Sequence, residues 1–102
     1  MFVRLTFCKF SPEAVKDALS LYKKDVVPVV SKQKGNIAIH MLEPADKADD
    51  FISLTQWRTK DDADAYESSG LYATFVAKLS DFLSKPPVLK SYDTEDTVVM
   101  AH

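Results

Sequence analysis

Between Asp50 and Tyr72 the chain reads DFISLTQWRTKDDADAYESSGLY: a segment of mixed polarity ends on the only tryptophan and runs at once into an acidic helix start. With a period of two, Ser53, Thr55 and Trp57 share one strand face, an unusual mixture for a face that should meet helices. Thr59 stands where an N-cap is needed for a helix beginning near Lys60, and Asp61 and Asp62 are favourable against its dipole. The helix breaks at Ser68-Ser69-Gly70 and resumes with aromatic residues. Strand, tryptophan, helix start and Ser-Ser-Gly break together restrict the fold more than any other stretch.

The remaining elements follow from the same reasoning. Residues 2–8 alternate as a strand, with Val3, Leu5 and Phe7 on one face and Phe2, Arg4, Thr6 and Cys8 on the other. Ser11-Pro12-Glu13 is a helix start with Ser as N-cap, and Val15, Ala18, Leu19, Tyr22 and Val26 form one apolar stripe. Pro28 should end or kink that helix. Lys32, Lys34 and Gly35 read as a C-terminal signal. A second strand is expected from about Asn36 to Glu43, with Ile37, Ile39 and Met41 facing one way and Asn36, Ala38, His40 and Leu42 the other. After the polar loop EPADKADD comes the strand from Asp50 to Arg58. Leu71, Phe75, Leu79 and Phe82 give a second stripe that Pro86-Pro87 stops, and Val88 to Asp93 is a fourth strand.

The order β-α-β-β-α-β predicts an α+β, ferredoxin-like fold, a four-stranded antiparallel sheet with both helices on one face. With 102 residues there is room for one domain, core about 2–93 and a tail at 94–102 that is expected to pair with a partner chain. The far face of the sheet keeps apolar residues that something must cover, and a second copy packed sheet to sheet as a homodimer is the economical answer.

Charge and cysteine content exclude several functions. Thirteen Lys and Arg against fifteen Asp and Glu give a net charge of -2, with the basic residues scattered, so nucleic acid is not an expected partner. The N-terminus lacks the pattern of a secretory signal and no run reaches the length of a membrane span, so no membrane is expected and the cytoplasm is the expected location. A single cysteine, Cys8, excludes an internal disulfide and any multi-cysteine metal site; no metal and no cofactor are expected.

With LTQWRTKDDADAYESSGLYATF at 54–75, Gly35 before strand two and this spacing of elements, the chain resembles the antibiotic biosynthesis monooxygenase family of the dimeric α/β-barrel superfamily, from about Phe2 to Tyr92. That resemblance implies a dimeric barrel and a choice among cofactor-free oxygenases of aromatic molecules, quinol-oxidising enzymes and haem-degrading enzymes. The haem-degrading branch uses an Asn on strand one, a Trp in the second helix and a His later in that helix; aligned on Trp57 those positions are Thr6, Tyr66 and Val76, and none matches. Haem degradation is therefore disfavoured. In the cofactor-free branch a Trp ending strand three and an Asn four residues earlier line the pocket: here Trp57 matches and Ser53 replaces the Asn. A His common nine residues after that Trp is replaced by Tyr66.

These residues support two readings each. Arg4, Thr6, Ser53, Thr55, Trp57 and His40 would line a cleft closed by Tyr66, Tyr72 and Phe75, suited to a small aromatic or quinol-like molecule. Trp57 is then a pocket wall, His40 a general base for a phenolic proton, Tyr66 and Tyr72 polar contacts. Alternatively, Trp57 is a core anchor bonded through its indole, His40 a half-exposed strand residue, and the tyrosines helix-end packing. Cys8 reads as an inert buried thiol, and Asp61, Asp62 and Asp64 as a solvated helix start. The expected function is a cofactor-independent monooxygenase with His40, Trp57 and Tyr66 in the chemistry and Thr6, Ser53, Tyr72 and Phe75 on the substrate. The competing expectation is a binding or structural module without turnover, and a third is isomerase or lyase chemistry.

Overall fold

The structure, a computed structural model, describes residues 1–94. Strands β1 (Phe2–Cys8), β2 (Asn36–Leu42), β3 (Phe51–Trp57) and β4 (Val88–Asp93) form one sheet in the order β2-β3-β1-β4, every pair antiparallel. Helices α1 (Val15–Leu21), α2 (Val27–Val30), α3 (Lys60–Ser68) and α4 (Leu71–Leu79) lie on one face. This is the ferredoxin-like α+β arrangement expected from the element order. The tail expected to pair with a partner falls, beyond Thr94, outside the described residues. Thr94 itself donates from its backbone N–H to the Met1 carbonyl at 2.9 Å. Among the described residues no helix is long and apolar enough to cross a membrane.

Burial follows the strand period. Phe2, Arg4, Thr6 and Cys8 are buried under the helices, while Val3, Leu5 and Phe7 are half-buried on the open face. The main core joins Phe2, Tyr22, Val26, Val30, Trp57, Ala63, Tyr66 and Phe75. Fully burying one such aliphatic side chain as Val30 stabilises by about 1.5–3 kcal/mol. Thr59 caps α3 as expected, its hydroxyl accepting from the Asp62 N–H at 3.1 Å. Ser11 precedes a short 3₁₀ turn at Pro12–Ala14, and its side chain makes no cap bond; its backbone carbonyl accepts from Ala14 instead.

Pro28 neither ends the first helix nor leaves it regular. The turn before it, Tyr22–Val26, widens into a π-turn closed by the Val27 N–H on the Tyr22 carbonyl, and α2 follows. Proline has no N–H to give and its ring crowds the carbonyl four residues back, so a wider turn accommodates it while the helix continues. This swings Tyr22, Val26 and Val30 onto the sheet, all three buried.

Two glycines sit at positive φ. Gly70 (φ 88°) separates α3 from α4, and Gly35 (φ 79°) turns the chain into β2 with its carbonyl accepting from the Arg58 N–H at 2.9 Å. Directly after Gly35 the β2–β3 register shifts between Asn36 and Ala38, leaving Ile37 as the extra residue of a bulge. The Asn36 side-chain amide ties this irregularity by donating to the carbonyls of Ala38 (3.2 Å) and Gln56 (3.3 Å).

Candidate functional site

The antiparallel registers decide which polar side chains meet beneath the helices. Thr6 on β1 is opposite Ser53 on β3, and Arg4 is opposite Thr55, all on the helix-facing side. Tyr22 reaches this row from the π-turn: its hydroxyl lies 2.7 Å from Ser53 Oγ and donates weakly to the His40 backbone carbonyl at 3.4 Å. From α4, the Tyr72 hydroxyl lies 3.2 Å from Thr6 Oγ1. Two hydroxyl pairs, Tyr22–Ser53 and Thr6–Tyr72, thus stand side by side across adjacent strands.

They border a cavity of about 50 Å³ between sheet and helices, with Tyr66, Phe75 and Val76 on the helix side and Leu89 on the β4 side. That volume holds a few water molecules and is too small for an aromatic ring. Two larger depressions flank the Glu43–Asp50 loop, and neither contains a residue proposed for the site.

Electrostatically the cavity is a place of neutral donors beside one cation. Burial pushes Tyr22 up to about 12, the Ser53 bond working the other way. Burial likewise raises Tyr66, helped by Tyr72 and Tyr22, and raises Tyr72 against the opposing Thr6 bond. Cys8 is pushed up to about 11 by burial and then by the Asp50 charge, so it is a neutral thiol, as expected of an inert one. The cation is Arg4, whose guanidinium donates to the Ala63 carbonyl at 3.2 Å and to Asp64 Oδ1 at 2.7 Å, with Glu67 Oε2 at 3.5 Å. Asp64 is thus more than a solvated helix-start acid: it ties α3 to β1 and also binds Lys60 at 2.6 Å.

Of the residues proposed from sequence, Thr6, Ser53, Tyr66, Tyr72 and Phe75 come together on this cavity. Two do not. Trp57 is fully buried behind it: the indole N–H donates to Thr55 Oγ1 at 3.0 Å, and the ring stacks on Tyr66 with centroids 5.2 Å apart. It is a core anchor, not a pocket wall. His40 is exposed on the open sheet face, opposite Leu54. The reason is the bulge. Counted without it from the Asn36–Trp57 pair, His40 would oppose Ser53 on the cavity side; one extra residue at Ile37 turns it outward. Its imidazole cannot serve as base in this cavity. For β2 as a whole, Ile39 and Met41 pack on the core as one face, while Ile37 leaves that face and is 41% exposed.

Sequence reasoning missed Tyr22, which the helical stripe marks only as core; its proximity to Ser53 depends on the π-turn. Haem does not fit these residues. The cavity is small, Val76 stands on its wall with no donor, and His40 points to the other face. Among the described residues no group of three or more His, Cys, Asp or Glu converges to hold a metal ion.

The chain is thus an α+β protein whose ferredoxin-like sheet carries a small, largely apolar cavity beneath its helices. Within it, the profile of the antibiotic biosynthesis monooxygenase family matches residues 1–78, and the chain belongs to that family. No curated protein sequence matches. Among solved structures, a monooxygenase from the gene ActVA-Orf6 of Streptomyces coelicolor, in complex with nanaomycin D, superposes with a TM-score of 0.81 at 13% identity, covering 98% of this chain and 92% of that one. A conserved protein from Methanosarcina mazei Go1 gives 0.79 at 19% identity over 93% and 94%. The haem-degrader MhuD of Mycobacterium tuberculosis, with two haems bound, gives 0.78 at 11% identity over 99% and 100%. At these identities the likeness establishes the fold.

Proposed function

We propose that the protein is a cofactor-independent monooxygenase acting on a small aromatic or quinol-like molecule. The observation that carries this reading is the pair of hydroxyl couples, Tyr22–Ser53 and Thr6–Tyr72, on the wall of a largely apolar cavity that Arg4 also lines, in a chain of this family. The substrate ionises at a ring hydroxyl, and the proton leaves to water. Its electron-rich anion reacts with dioxygen, one oxygen atom becoming a substrate carbonyl and the other leaving as water. All four electrons that reduce the dioxygen, and the two hydrogens of the water, come from the substrate, so no external reductant enters. Ser53, Thr6 and Tyr72 orient the ring oxygen, Phe75 packs the ring, and Tyr66 supplies a further hydroxyl. With their values raised, these tyrosines act as neutral donors to the oxyanion and not as bases.

Oxygen uptake by metal-stripped protein with a panel of naphthols, anthrones and quinols tests this. Tyr72→Phe removes one donor to the anion and is expected to lower kcat/KM by roughly tenfold to a hundredfold. His40→Ala, on the opposite face, leaves turnover unchanged. Absence of uptake across the panel in the folded wild type would remove the oxygenase reading. The small cavity and the lack of a base facing it then favour a binding module, whose aromatic ligand is recovered chemically unchanged.

The same reading includes a homodimer through the open face. Leu5, Phe7 and Leu54 are half-buried there, and Leu42, Val88 and Tyr92 are 42%, 48% and 51% exposed. An apolar sheet face of this kind is covered most simply by its own copy. Leu54→Lys puts a charge at the middle of that face and is expected to convert a dimer to a monomer in sedimentation equilibrium. A wild-type chain that sediments as a monomer at all concentrations would contradict the proposal.

A further inference from the structure

One polar atom of the cavity region remains unexplained by the fold. Among the described residues, Arg4 Nε is the only buried side-chain nitrogen or oxygen without a hydrogen-bond partner. The rest of the guanidinium is well used: its two terminal nitrogens serve Ala63, Asp64 and Glu67, all on α3. Arg4 is nine-tenths buried, and it lines the cavity beside Thr6, Thr55, Tyr66 and Tyr72. A buried donor left unmade costs its full desolvation penalty, which is larger for a charged group. A strand position under two helices is an expensive place for it unless something else uses the atom.

We infer that Arg4 is the recognition donor of this cavity, its Nε–H meeting an acceptor oxygen on the bound aromatic molecule. The chemistry is selective. Nε–H can only donate, so its partner is a phenolate, carboxylate or carbonyl oxygen, and ammonium or other donor-only groups are rejected. The carboxylates of Asp64 and Glu67 hold the terminal nitrogens, which keeps the guanidinium plane from turning while Nε stays free for the ligand. Arg4's charge also acts on two of the three cavity tyrosines, lowering Tyr66 and Tyr72 against the larger effect of burial. A ligand oxygen in direct contact with Nε feels that charge more strongly. Arg4 therefore supplies what His40 does not: it favours the ionised ring oxygen by holding the anion.

This rests on reading the cavity as a ligand site, though not on oxygen turnover, and the test is run without oxygen. The probe is para-nitrophenol, whose ionised form is coloured. Arg4 and Arg58 are the only arginines, and Arg58 is exposed, so nitrogen-15 NMR resolves the two Nε–H groups. The expected result is that the probe moves the Arg4 Nε–H signal and slows its exchange with water, leaving Arg58 unchanged. The colour midpoint of bound probe then lies about one pH unit higher in Arg4→Gln than in the wild type, a tenfold smaller ionised fraction. The NMR experiment needs only wild-type protein and stands if Arg4→Gln does not fold. Binding seen by quenching of Trp57 fluorescence with no change at Arg4 Nε–H overturns the assignment, as does failure of the probe to bind. An oxygenase active on its own substrate whose Arg4 signal ignores that probe would keep the proposed activity and lose this inference.

Discussion

Trp57→Ala is expected to lower the stability of the fold by about 3–5 kcal/mol, the range for deleting a fully buried large aromatic. The indole has no exposed surface, stacks on Tyr66, donates to Thr55 and sits in the same cluster as Phe2 and Ala63. Its removal opens a void where β3 hands over to α3 and leaves Tyr66 without its stacking partner. Urea denaturation followed by circular dichroism measures this, since the variant has no tryptophan left to report. Trp57→Phe keeps a ring and loses the hydrogen bond, so its loss is expected to be about 1–2 kcal/mol. If Trp57→Ala were within about 1 kcal/mol of wild type, the anchor role would be wrong. Lost activity in Trp57→Ala therefore does not locate the chemistry. Tyr72→Phe does, because it touches a cavity hydroxyl and leaves the core packing in place.

The second large effect is at Gly35. A Cβ added there would land on the Asp62 carboxylate and its neighbouring side-chain carbons, and the backbone holds φ at 79°. Rotating the Asp62 carboxylate away does not clear the site, because the Asp62 Cβ itself would lie 2.6 Å from the added carbon. The Asp62 backbone is held by its N–H bond to Thr59. Gly35→Ala therefore combines positive-φ strain with overpacking, an expected loss of about 2–5 kcal/mol. Gly70 is the control. Its φ is 88°, yet a Cβ there meets nothing within 4 Å, so Gly70→Ala carries the strain alone, about 1–2 kcal/mol. Asp62→Ala in the Gly35→Ala background recovers part of the loss, the remaining Cβ still crowding the site. Equal midpoints for Gly35→Ala and Gly70→Ala in urea would show that the Asp62 contact does not matter. The expected loss is large because Gly35 sits at the join between α2 and β2, immediately before the bulge that orients the second strand.

The local rules read the elements well where neighbours along the chain determine them. Thr59 caps α3, Gly70 divides α3 from α4, and Val88–Asp93 is β4. Alternation placed Arg4, Thr6, Ser53 and Thr55 on one face because a strand has no other way to arrange them. Of the five proposed site residues that meet on the cavity, Thr6 and Ser53 do so for this reason, while Tyr66, Tyr72 and Phe75 reach it from α3 and α4. The two that do not depend on events outside the local pattern. Trp57 had a wall reading and an anchor reading, and which holds depends on Tyr66 lying across it from α3. His40 was placed by counting in twos, which assumes an unbroken ladder, and a single inserted residue reverses the count.

By itself, then, the sequence determined the element order, the Thr59 cap, the ferredoxin-like arrangement and the polar character of one sheet face. All of these follow from forces acting over a few residues: capping bonds, backbone freedom at glycine and proline, and apolar periodicity. Only the tertiary structure decided that the bulge at Ile37 turns His40 away, that the π-turn before Pro28 brings Tyr22 to Ser53, and that α3 satisfies all of Arg4 but its Nε. Each is settled by contacts between segments far apart in the chain. There a shift of one residue or one turn changes which side chain faces the cavity while leaving the local pattern almost unaltered.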